Sequence, residues 1–71
     1  MLRIQKLREA KGLSRSALAR IALMHAATVG QIESRYIGRP YQSQLEKLAG
    51  ALEFTGESEE LLEEVEIDDR P

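Results

Sequence analysis

The stretch that decides the fold is LARIALMHAATVGQIE, Leu18 to Glu33. Ala17, Leu18, Ile21 and Ala22 fall at the spacing of one buried helical face. A bend at Leu23–Met24–His25 follows, and Val29 and Ile32 then supply the i and i+3 anchors of a third helix that ends near Glu33. Two short helices joined by a tight bend make a helix-turn-helix unit, a geometry that many all-α proteins contain. The third helix opens on Ala26 and Ala27, small side chains at the positions with most to say to a binding partner.

Upstream, Ser14 is placed as the N-cap of the second helix. Gly12 stops the first, in which Ile4 and Leu7 face inward. Downstream, SRYIGRP (Ser34 to Pro40) is a loop, since the residue before proline is pushed out of the helical region. A fourth helix is predicted from about Tyr41 to Leu52, with Leu45, Leu48, Ala49 and Leu52 inward. Gly50 weakens it by about 1 kcal/mol relative to alanine. Phe54, the sole phenylalanine, is expected to plug the core. GESEELLEEVEIDD, residues 56–69, opens with acids that suit a helix N-terminus, and Leu61, Leu62 and Val65 are expected to dock a fifth helix. The last four residues, DDRP, are expected to fray. No internal repeat and no strand pattern is visible.

With 71 residues, the chain is expected to form one small domain that buries only about 60% of its unfolded surface, so a partner or a second copy would help it. The absence of cysteine excludes disulfides, thiolate metal sites and a cysteine nucleophile. The longest uncharged run, Ile21 to Ile32, is too short to span a bilayer. The N-terminus is charged and has no apolar signal core, so a cytoplasmic location and no membrane partner are expected. One histidine, no cysteine and no Gly-rich phosphate loop leave little for a catalytic site, a metal or a cofactor, and none of the three is expected. The net charge of −2 hides an asymmetry. Residues 1–55 carry nine Lys/Arg against four Glu (+5), whereas residues 56–71 carry Arg70 against eight acids (−7). A basic body with an acidic tail is one pattern of a nucleic-acid binder; a solvated tail helix beside an ordinary body is the other.

IQKLREAKGLSRSALARIALMHAATVGQIES, followed by Pro40 and LEKLAGAL, resembles the Cro/repressor-like helix-turn-helix family. The landmarks are Leu7, Arg8, Gly12-Leu13-Ser14, Leu18-Ala19, Val29, Ile32, Glu33, Pro40, Leu45, Leu48-Ala49 and Leu52, and they cover about residues 3–54. The resemblance implies an all-α compact bundle of four to five helices of lambda-repressor-like type, with a DNA-binding domain over 1–55 and an acidic C-terminal helix or tail over 56–71. It implies a transcription regulator bound as a homodimer to a pseudo-palindromic site in double-stranded DNA, helix two across the backbone and helix three in the major groove. It also pairs Arg8 with Glu33 as a structural ion pair between helix one and the end of helix three, a bidentate match of fork to carboxylate.

By family position, Ala26, Ala27, Thr28 and Gln31 face the groove. Alanine offers a methyl group to thymine, Thr28 adds a hydroxyl, and Gln31 is the one strong base reader, suited to adenine. Arg15, Arg35, Tyr36 and Arg39 lie at the ends of the reading helix or in the loop after it and are assigned to phosphates, with His25, which replaces the usual Ser/Thr cap, beside them. Leu23 stands where the family commonly has glycine, so a reshaped bend or a longer second helix is expected. The acidic tail has two readings: a docking helix with a role in dimer or protein contact, or a competitor with DNA for the basic face. An alternative for the whole chain keeps the fold but packs the alanine-rich helix against protein, as an interaction module without base reading.

Overall fold

The computed structural model describes residues 1–35 and 40–66. Four helices follow one another: α1 (Arg3–Ala10), α2 (Arg15–Ile21), α3 (Ala26–Glu33) and α4 (Gln42–Ala51), then a 3₁₀ segment, Ser58–Leu62. Several of their limits have a local cause. The Ser14 hydroxyl accepts the Ala17 N–H at 3.0 Å and caps α2. Gly12 takes φ +70° after α1, where Gly12 N–H donates to Glu9 O and Leu13 N–H to Arg8 O, the Schellman pattern.

The same closure ends α2 and α4 without a glycine. Leu23 sits at φ 59° with its N–H on Arg20 O and that of Met24 on Ala19 O; Glu53 sits at φ 56° with Phe54 N–H on Ala49 O. Arg35, at φ 61°, follows α3, its N–H on Ile32 O. The bend after α2 is therefore neither reshaped nor absorbed into a longer helix, contrary to expectation. Leucine itself adopts the left-handed conformation, at a cost of about 1–2 kcal/mol.

The core is built around one cluster. Ile4 comes from α1, Leu18 and Ala19 from α2, Val29 and Ile32 from α3, Leu48 and Ala49 from α4, and Leu61 from the 3₁₀ segment; Leu2, Ala22 and Leu52 complete it, and Leu45 of α4 is buried as well. Leu7, Phe54 and Leu62 pack against it half-buried. Ile21, expected inside, is 54% exposed. The buried face of α2 runs through Leu18, Ala22 and Ala19, and at about 100° per residue Ile21 lies roughly 110° round from its centre. Two small alanines there let α3 and α4 approach, which an isoleucine on that side would prevent.

The expected fifth helix is cut to the five-residue 3₁₀ segment. Continued helix would stack glutamates 59, 60, 63, 64 and 66 at three- and four-residue spacings, where like charges repel. The chain instead extends after Leu62. Glu64 forms an antiparallel bridge with Leu2, Arg3 N–H donates to Glu63 O at 2.9 Å, and Val65 N–H donates to Met1 O at 2.8 Å. Leu61 is fully buried and anchors the segment, worth about 1.5–3 kcal/mol. None of the helices described is long and apolar enough to cross a membrane.

Candidate nucleic-acid interface

α3 sorts its side chains by angle. Val29, Ile32 and Glu33 point inward and are buried. Ala27 and Gln31, about 160° and 200° round from Val29, are exposed, with Thr28 half-buried on one flank and Gly30 on the other. Ala26 lies only about 60° from Val29 and packs half-buried against the core. Its small size is thus first a packing requirement, and the outward face narrows to Ala27, Thr28 and Gln31. His25 occupies the N-cap position of α3, is exposed, and makes no side-chain capping bond.

Behind this face lies a buried charge cluster. The Glu33 side chain is 0% exposed. Arg8 donates from Nε to Glu33 Oε2 at 2.7 Å and from Nη2 to Oε1 at 3.0 Å, while Nη1 donates to Leu13 O at 2.8 Å. The bond to Glu33 is the main reason the Arg8 guanidinium is held above its ordinary pKa; burial opposes the shift, and the charges of Glu33 and Glu9 add to it. Breaking one partner of such a pair costs about 3–5 kcal/mol.

Arg15, at the first position of α2, joins the cluster. Its Nε donates to Glu33 Oε1 at 3.1 Å, and its side chain is 49% exposed. Its guanidinium lies along the Gly30 flank of α3: a Cβ on Gly30 would stand 3.5 Å from Nη1 and 3.7 Å from Cδ. Neither the second partner of Glu33 nor this seat over Gly30 follows from spacing along the chain. The available signal was Gly30 itself, a residue costing about 1 kcal/mol inside a helix and often marking a close approach.

Just past the same end of α3, Arg35 pairs with Glu64 of the acidic segment. That partnership was also not legible, because it joins residues far apart in sequence. Tyr36 and Arg39, assigned to phosphates on sequence grounds, lie outside the described residues. Two further ion pairs join distant parts of the chain, Glu63 with Arg3 at 2.9 Å and Glu53 with Lys11 at 3.0 Å. Among the described residues, no three His, Asp or Glu side chains converge as a metal site.

The arrangement is an exposed helical face of small and amide side chains, edged by one arginine from the preceding helix and followed by another. A family model described as a helix-turn-helix domain matches residues 2–62, and the chain belongs to that family. No curated protein and no solved structure matches it.

Proposed function

We propose that this helix-turn-helix protein is a sequence-specific regulator of transcription that binds double-stranded DNA as a homodimer in the cytoplasm, with α3 in the major groove. The observation that carries this reading is the exposed Ala27–Gln31 face with the Arg15 guanidinium along its edge. Gln31 reads adenine through its amide, worth about 1–3 kcal/mol of discrimination, while Ala27 and Thr28 offer methyl groups to thymine. Ala26 contributes little beyond packing. Arg15 and Arg35, with His25, Tyr36 and Arg39, fix the register on phosphates without reading sequence. Direct readout is sparse, so DNA shape carries part of the specificity.

Titration of labelled duplexes at about 50 and about 200 mM salt tests this. With Arg15, Arg35 and Arg39 engaged in both protomers, the log–log salt slope is about −5. Gln31→Ala narrows the gap between specific and random duplexes, whereas Arg15→Ala weakens all duplexes alike. Equal losses on both kinds of duplex for Gln31→Ala would remove its role as reader.

A second reading has its own support. Ile21 and Leu23 are both exposed where α2 ends, Leu23 by 82%. An interaction module that keeps the fold without reading bases would use such a surface. Absence of duplex binding at about 50 mM salt would favour it.

A further inference from the structure

We propose that Glu33 is a positioning residue for DNA binding: its buried carboxylate, shared between Arg8 and Arg15, aims the Arg15 guanidinium at a phosphate beside the exposed face of α3. The inference rests on the DNA-binding reading and adds to it the device by which one cation is oriented.

Three observations converge. First, Arg8 engages all three of its nitrogens, two on Glu33 and one on Leu13 O, and its side chain is only 10% exposed, so burial and not a lack of N–H groups keeps it from a phosphate oxygen. Arg15 uses only Nε among the described residues, which leaves both terminal nitrogens to an outside acceptor on a side chain that is half exposed. Second, Glu33 Oε1 accepts from Arg8 Nη2 and Arg15 Nε together, so Arg8 locks the carboxylate and the locked carboxylate fixes the plane of the second guanidinium. Third, that guanidinium lies within ordinary contact distance of the Gly30 flank, against α3 instead of out in solvent. Arg8 already holds Glu33 through two bonds and also faces Glu9 at 3.6 Å, so Arg15 meets only a carboxylate it shares with a second guanidinium, and its half-exposed charge stands at the edge of the helix, the complement of a phosphodiester.

A planar fork held by Nε and presenting its terminal N–H groups is something lysine cannot imitate, although lysine keeps the charge. That distinction gives the test, made on the full chain. In the free protein, the Arg15 Nε–H is expected to exchange with solvent at least roughly tenfold more slowly than in free arginine, read by nitrogen-15 NMR. Arg15→Lys is expected to weaken duplex binding by roughly tenfold while leaving the salt slope unchanged. Arg15→Ala is expected to weaken it similarly and to make the slope less negative by about 0.9 for each protomer bound. Arg15→Lys binding as tightly as the wild type would overturn the proposal, because a merely solvated charge suffices in that case. Exchange as fast as in free arginine would overturn it independently of any DNA. If the wild type binds no duplex at about 50 mM salt, the DNA-binding reading itself falls, and slow exchange then shows a guanidinium held for the fold and not for a phosphate. Glu33→Gln is left out of the test because it breaks the pair with Arg8 and threatens folding.

Discussion

Replacing Leu23 by glycine should stabilise the protein, and replacing Gly12 by alanine should destabilise it by a similar amount. Both residues occupy the same place in the same motif, one residue past the C-cap of a helix, at φ 59° and φ 70°. The left-handed conformation costs a non-glycine residue about 1–2 kcal/mol. Glycine recovers that, but loses about 0.4–1 kcal/mol through the greater freedom of the unfolded chain. The side chain of Leu23 is 82% exposed, so its removal sacrifices almost no packing. A Cβ on Gly12 would meet nothing within 4 Å, so the cost there is conformational and not steric. The net change is about 1 kcal/mol in each direction, against a total stability of about 4–10 kcal/mol for a domain of this length. In a domain this small, 1 kcal/mol moves the melting temperature by about 4–8 °C. Thermal unfolding followed by circular dichroism measures the shift, and urea unfolding with an unchanged slope shows that stability has changed without a change in the surface exposed on unfolding. A Leu23→Gly protein melting at or below the wild-type temperature, while Gly12→Ala melts lower, would refute the reasoning; it would mean that the exposed leucine contributes an interaction that outweighs its backbone cost.

Gly50→Ala should add about 1 kcal/mol, because a Cβ there has open space and the residue lies inside α4; equilibrium unfolding in urea measures it. Arg8→Ala should cost about 3–5 kcal/mol by leaving the Glu33 carboxylate short of its main partner, a loss comparable to the whole stability of the domain. The double replacement Arg8→Met with Glu33→Leu should instead stay folded, as stable as the wild type or more so by up to about 4 kcal/mol, while losing the slow exchange of Arg15 Nε–H. Leu61→Ala should cost about 2–5 kcal/mol in thermal unfolding, since Leu61 is fully buried; a negligible loss would show that the acidic segment only rests on the surface.

What the local sequence determined is the run of helices and their limits. A serine cap before Arg15, a glycine after Lys11, and apolar residues at three- and four-residue intervals act within one or two turns, and their effect does not depend on what lies elsewhere in the chain. The inward set of α4, Leu45, Leu48, Ala49 and Leu52, follows from that periodicity alone. Residues joined across the fold are a different matter. Periodicity allowed Ile21 a place in the core, but the close approach of α3 and α4 to α2 selected Ala19 for it and left Ile21 outside. The loss of the usual glycine at Leu23 suggested a changed bend, yet the paired closure of Met24 N–H on Ala19 O and Leu23 N–H on Arg20 O holds the turn and forces leucine to conform. Arg15 meeting Glu33, and Arg35 meeting Glu64, are contacts between distant segments, set by where packed helices bring two side chains. Hydrophobic spacing specifies which side of a helix is buried. Which charges then face one another across the assembled bundle depends on relative positions that exist only after the helices have packed.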